Sequence, residues 1–196
     1  MGRETPSLEL GAVVEVFDAA IALHQRVRDA DHLALLRAVG AIRESYAGGG
    51  MVLTFGNGGS AADAQHLAAE LVCRFARERR ALAAVALSTD TSVLTAVAND
   101  CGFDRVFARQ IEALGRPGDV AIGISTSGRS PNVVTALEAA RARRLRTIAL
   151  TGRDGGEAAA AAEFHVNVPD DSAARVQEVH RTLIHVICEL VERDHA

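Results

Sequence analysis

Two short loops rich in glycine and hydroxyl groups, FGNGGS ending at Ser60 and ISTSGRS ending at Ser130, each close an apolar stretch and open a helical run. Strand, tight turn, helix, twice over, is the pattern of a parallel sheet built from crossover units. Residues 51–55 (MVLTF) and 119–124 read as buried strands, and AADAQHLAAELVCRF and PNVVTALEAARARR as the helices that follow them. Further strands are expected at 83–87, 146–150 and 163–168, with helical spacing between most pairs. Ahead of them, 8–30 and 32–46 carry helical periodicity and end at Ala47-Gly48-Gly49-Gly50. A last helix, Ala173 to Val191, offers Val176, Val179, Leu183, Val186, Ile187 and Leu190 for packing.

Ligands of such sheets sit beyond the carboxyl ends of the strands, where both loops lie. Glycine lets a backbone turn tightly and approach an anion, while the free N–H groups and positive end of the next helix attract negative charge. Ser60, Ser125, Thr126, Ser127 and Ser130 add hydroxyl donors. The blander reading is that Ser60 and Ser130 only cap helices. A dinucleotide G-x-G-x-x-G is missing after the first strand, and FGNGGS lacks the spacing and lysine of a nucleotide P-loop. A small phosphate ester is therefore favoured over a nucleotide.

The chain has 196 residues, enough for one core, and no linker divides it. Residues 1–50 are expected to form a helical lead-in packed on the same domain as residues 51–196. A net charge of -4 gives no general attraction for nucleic acid. The opening MGRETPSLEL lacks the features of a secretion signal, and no apolar run reaches the length of a membrane span. Cys73, Cys101 and Cys188 form no disulfide framework. A cytoplasmic protein without membrane or nucleic-acid partners is the expectation.

His66 and Glu70, four residues apart, share one helix face and can serve as metal ligands or, for the carboxylate, as a proton carrier; a plain surface contact is equally open. Arg74 is expected one turn further along the same helix. Gln177 and His185 differ by eight positions, about 12 Å along a straight helix, and spacing alone does not place them in one site. His180 is the local neighbour of Gln177.

The ordered series FGNGGSAADAQHLAAEL, TAVANDCGFDRVFARQIEALGRPGD, ISTSGRSPNV, IALTGRDGG and RVQEVHRTLIH resembles the bacterial phosphoheptose isomerases of the sugar-isomerase family, over roughly residues 35–192. The resemblance implies a three-layer α/β/α sandwich around a five-stranded parallel sheet, a flavodoxin-like sugar-isomerase domain. It implies a homotetramer whose sites include neighbouring subunits. The implied reaction is an aldose–ketose isomerisation, sedoheptulose 7-phosphate to D-glycero-D-manno-heptose 7-phosphate. Ser60, Ser125, Thr126, Ser127 and Ser130 match phosphate-holding positions. Asn57, Gly58, Gly59, Arg74, Asp100 and Gln177 fall on the substrate side. His66, Glu70, Gln177 and His185 match a zinc-binding set, within which Glu70 and His185 carry proton transfer. Ala174 stands before Arg175 where the family pattern often has Asp. The rival readings are a non-catalytic adaptor of the kind that associates with the replication initiator, and a sugar-phosphate sensor; adaptors depart at the positions of Glu70 and His185, which this chain retains.

Overall fold

Five parallel strands form the centre of the molecule: β1 (Val52–Gly56), β2 (Ala84–Ala86), β3 (Val120–Ser125), β4 (Arg146–Gly152) and β5 (Phe164–Val168), in the order β2-β1-β3-β4-β5. The computed structural model describes residues 5–195. The helices, in chain order, are α1 (Thr5–Arg28), α2 (Leu33–Ala47), α3 (Gly59–Val72), α4 (Thr91–Cys101), α5 (Ala108–Leu114), α6 (Pro131–Ala142), α7 (Gly156–Ala161) and α8 (Ala173–Glu192).

The three layers follow from the alternation along the strands. Val120, Ile122 and Ile124 of β3 point into a core shared with Ile42 of α2, Leu67 and Leu71 of α3, and Ile184 and Ile187 of α8. Ala121 faces the opposite core, made with Val133, Leu137 and Ala140 of α6 and Ile111 of α5. There α6 comes so close that a Cβ on Gly123 would meet Val133 Cγ1 at 2.9 Å. Both faces of β1 and β3 are fully buried, which is why these strands read as unbroken apolar runs. Each buried Val, Leu or Ile contributes roughly 1.5–3 kcal/mol. α2 belongs to the first core through Ala38, Val39 and Tyr46, and α1 reaches it through Leu23.

Strand order reverses between β1 and β3, since β1 leads out to β2 on one side while β3 leads to β4 on the other. The loops β1–α3 and β3–α6 open into the crevice created there.

The helix expected to run from Ala61 to Phe75 stops at Val72. Cys73 leaves helical geometry at φ -82°, ψ -90°, so Arg74 lies beyond the helix rather than one turn further along it. The second long run ends at Ala142, and Arg144 takes a left-handed φ of 64° before β4. The edge strand β2 is two residues shorter than the 83–87 expected, having a neighbour on one side only. No helix is long and apolar enough to cross a membrane among the described residues.

Candidate active site

Gly58 precedes α3 with φ 54°, ψ -120°, a conformation that suits glycine, and the tight turn closes with the Ser60 N–H donating to Asn57 O at 2.9 Å. Ser60 is buried in the first turn, and the residue before the helix is Gly58, so Ser60 is not its cap. Ser130 does precede α6, yet its hydroxyl makes no capping bond; it meets Ser125 Oγ at 3.0 Å instead. Pro131 occupies the first helical position, where a missing N–H costs nothing. Ser127 Oγ is 3.4 Å from Ser125 Oγ and accepts from the Arg129 N–H at 3.2 Å. Ser125, Ser127 and Ser130 therefore form one hydroxyl cluster at the mouth of α6, with Thr126 in the same turn. The capping reading of the serines does not hold.

A reciprocal amide pair ties the two loops together: Asn57 Nδ2 donates to Asn132 Oδ1 at 2.9 Å, and Asn132 Nδ2 donates to Asn57 Oδ1 at 2.8 Å. Asn132, 1% exposed, was not singled out by sequence; its only signal was its place in ISTSGRSPNV. From below, Gly128 (φ 65°) packs backbone on backbone against the loop after β4, where a Cβ on it would meet Gly155 O at 2.0 Å. The Ala158 N–H donates to Gly128 O at 2.9 Å, and Arg129 pairs with Asp154 at 2.5 Å.

The polar residues of α3 and α8 meet rung by rung, because the two helices run side by side in the same direction. Gln177 lies against Gly59. Arg181 donates twice to Asp63 Oδ1, at 3.0 and 2.7 Å. His185 Nε2 stands 2.9 Å from His66 Nε2, and Glu70 Oε1 lies 3.5 Å from that same His66 nitrogen. Residues 177, 181 and 185 recur every four positions, and the opposing 59, 63, 66 and 70 keep pace. Burial first, then the Arg181 guanidinium, holds the His66 imidazole below its ordinary pKa, with Glu70 opposing. A neutral ring results, suited to accept a proton or to ligate. The Phe75 ring covers His185 at 5.4 Å between centroids.

Not every expected residue joins this cluster. Gln177 sits at the other end of the ladder from His185. Arg74 is engaged by Glu78 at 3.2 Å, and Asp100 accepts from Asn99 at 2.7 Å near the end of α4. Neither forms a hydrogen bond or ion pair with His66, Glu70 or His185 among the described residues. His180 is fully buried, with Nε2 3.0 Å from Thr151 O, and belongs to the core. Arg175, which has Ala174 before it, bonds Val16 O at 2.8 Å and Glu178 at 2.8 Å.

The SIS domain family matches residues 15–152, which include both loops, His66 and Glu70. The phosphoheptose isomerase of Citrifermentans bemidjiense is 57% identical over 161 residues, 82% of this chain and 84% of that protein. The chain belongs to the phosphoheptose isomerase family. Among solved structures, the phosphoheptose isomerase GmhA from Neisseria gonorrhoeae superposes with a TM-score of 0.88 at 45% identity, covering 94% of this chain and 98% of that one. The phosphoheptose isomerase from Francisella tularensis gives 0.90 at 34% identity with the same coverage. Membership in this family fixes the fold as the α/β sugar-isomerase sandwich and makes the protein an isomerase.

Family membership also gives the donor set a context. Two imidazoles and a carboxylate are the ligand types of a catalytic zinc site. His66 lies within 3.5 Å of both Glu70 and His185, so the donor types fit zinc in chemistry, but no group of three His, Cys, Asp or Glu is arranged to hold a metal ion among the described residues.

Proposed function

We propose that this chain interconverts sedoheptulose 7-phosphate and D-glycero-D-manno-heptose 7-phosphate through an enediol. The observation that carries the reading is the convergence of Glu70, His66 and His185 on two parallel helices, one of which begins at the hydroxyl-rich cradle. The positive N-terminal ends of α3 and α6, with Ser60, Ser125, Thr126, Ser127 and Ser130, hold the phosphate. Glu70 removes the C1 proton of the ketose and returns it to C2, giving the aldose; no net proton is gained or lost. His185 carries the balancing proton from the C1 oxygen to the C2 oxygen. Fixing the phosphate orients the reacting end, and that positioning is a source of rate. Asn57, Gly58, Gly59 and Gln177 line the substrate side, and Arg74 and Asp100 are assigned there from the family match.

Zinc is the proposed cofactor, held by His66, Glu70 and His185; the family match adds Gln177 as a fourth donor, although in this chain its amide lies at the other end of the ladder, against Gly59. When bound, the metal supplies a Lewis acid for oxygen charge.

Self-association is supported by α1, where Leu10, Val13, Phe17 and Ile21 are each more than half exposed. Beside them a groove of about 870 Å³ opens between α1, α2 and α8. Single proteins rarely leave so large an apolar patch bare. A homotetramer, in which neighbouring copies bring Arg74 and Asp100 to the site, fits that exposure and is checked by sedimentation. Free Cys73, Cys101 and Cys188 suit a reducing cytoplasm.

An anomer-resolved NMR assay with sedoheptulose 7-phosphate tests the activity directly. The aldose signal is expected to grow to equilibrium; no conversion by metal-replete protein would reject the substrate assignment.

A further inference from the structure

Arg79 and Glu192 form an ion pair at 3.3 Å whose side chains are 1% and 2% exposed, on the far side of His66, Glu70 and His185 from the cradle. Burying two opposite charges is a poor way to gain stability, because desolvation cancels most of the attraction. What the pair does secure is geometry, and each partner makes one bond that leads to a proton-transfer residue.

Arg79 reaches back to the end of α3, where the last carbonyls lack helical partners. Its Nη2 donates to Glu70 O at 2.7 Å, and its Nη1 donates to Cys73 O at 3.3 Å and to Arg80 O at 2.9 Å. Glu192, in the last turn of α8, accepts three successive backbone N–H groups: Phe75 on Oε1 at 3.0 Å, and Ala76 and Arg77 on Oε2, both at 2.9 Å. The first of these fixes Phe75, whose ring lies on His185. One member of the pair thus grips the backbone of Glu70, and the other holds the ring that backs His185.

We propose that Arg79 and Glu192 are positioning residues for the isomerisation: together they set the Glu70 carboxylate and the His185 imidazole in register across α3 and α8. The proposal rests on the reading that Glu70 and His185 carry the proton transfer.

The test compares Arg79→Lys, Arg79→Met, Glu192→Gln and the double variant Arg79→Met/Glu192→Leu, with Glu70→Gln alongside. The double variant replaces the pair by apolar groups and so avoids a buried unpaired charge that would unfold the protein. Turnover and KM for sedoheptulose 7-phosphate are measured on folded, monodisperse protein. In Glu192→Gln and in the double variant, kcat is expected to fall roughly ten- to a hundredfold while KM stays within about threefold, because the phosphate cradle is untouched. Arg79→Lys, which keeps a charge and one donor direction, is expected to recover part of the kcat lost in Arg79→Met. A residue that only stabilises would lower the melting temperature without this split. Wild-type kcat in the folded double variant, beside an inactive Glu70→Gln, would overturn the positioning role alone. Full turnover by Glu70→Gln would overturn it together with the reading it rests on.

Discussion

Gln177 stands where a side chain on residue 59 would have to be: a Cβ built on Gly59 would lie 2.4 Å from the Gln177 Nε2. The obstacle is the tip of a flexible side chain, so Gly59→Ala is expected to fold with stability within about 1 kcal/mol of the parent, since alanine suits a helix better than glycine. It displaces the amide, and kcat/KM is expected to drop by roughly tenfold or more. A melting curve and steady-state kinetics on the same sample check both halves; unchanged kcat/KM would show that the Gln177 amide has no task at the cradle.

Glu70→Gln keeps the size of the side chain and removes its ability to carry a proton. A loss of about a hundredfold to ten-thousandfold in kcat is expected, with binding of the phosphate ester preserved. Metal content and assembly state are measured alongside, and near-normal turnover would remove Glu70 from the role of base.

Ser125→Ala and Ser130→Ala are expected to act in the opposite sense, raising KM by roughly tenfold to a hundredfold, the range of a hydrogen bond to a charged group, with a smaller change in kcat. The unphosphorylated heptulose serves as the control. Equal effects on both sugars would mean that these hydroxyls do not hold the phosphate.

Chelation followed by metal readdition tests the cofactor. Activity is expected to fall on removal and to return with zinc, and an anomalous peak at the zinc edge is expected beside His66, Glu70 and His185. Full activity in demonstrably metal-free protein would eliminate a required metal.

Stability is expected to decline on the acid side of pH 6.5. Burial lowers the pKa of both His180 and His165 from 6.5, so the folded chain prefers their neutral rings. The resulting stabilisation is complete above the unfolded value and is lost as pH falls through the lowered folded values, because the unfolded chain then binds protons the fold refuses. His180→Gln, which keeps a donor for Thr151 O, is expected to flatten thermal melts between pH 6.5 and 5. A slope identical to the parent's would exclude His180 as a source.

The loops and the strands were readable in the sequence because their signals are local: glycine before a helix and unbroken apolar runs. The ladder from Gly59–Gln177 to His66–His185 was not. An eight-residue gap on one helix acquires meaning only when a second helix runs parallel to it, and that follows from how α3 and α8 pack on the same face of the sheet. Asn132 was hidden for the same reason, its partner Asn57 being 75 positions away. Arg74 was misplaced because nothing local marks the end of α3 at Val72; the carbonyls there are capped by Arg79, seven residues past the helix end. By spacing alone His180 looked as eligible as His185, and in the structure burial separates them.

The contact between Gly128 and Gly155 has a consequence for how sequences like this one can diverge. A β-carbon on Gly128 would collide with the opposing backbone, and one on Gly156 would lie 2.5 Å from Gly128 O. Neither loop can accept a side chain there unless the other is rebuilt at the same time. The two turns are thus a single unit of inheritance, and a descendant that loses one of these glycines must rebuild both.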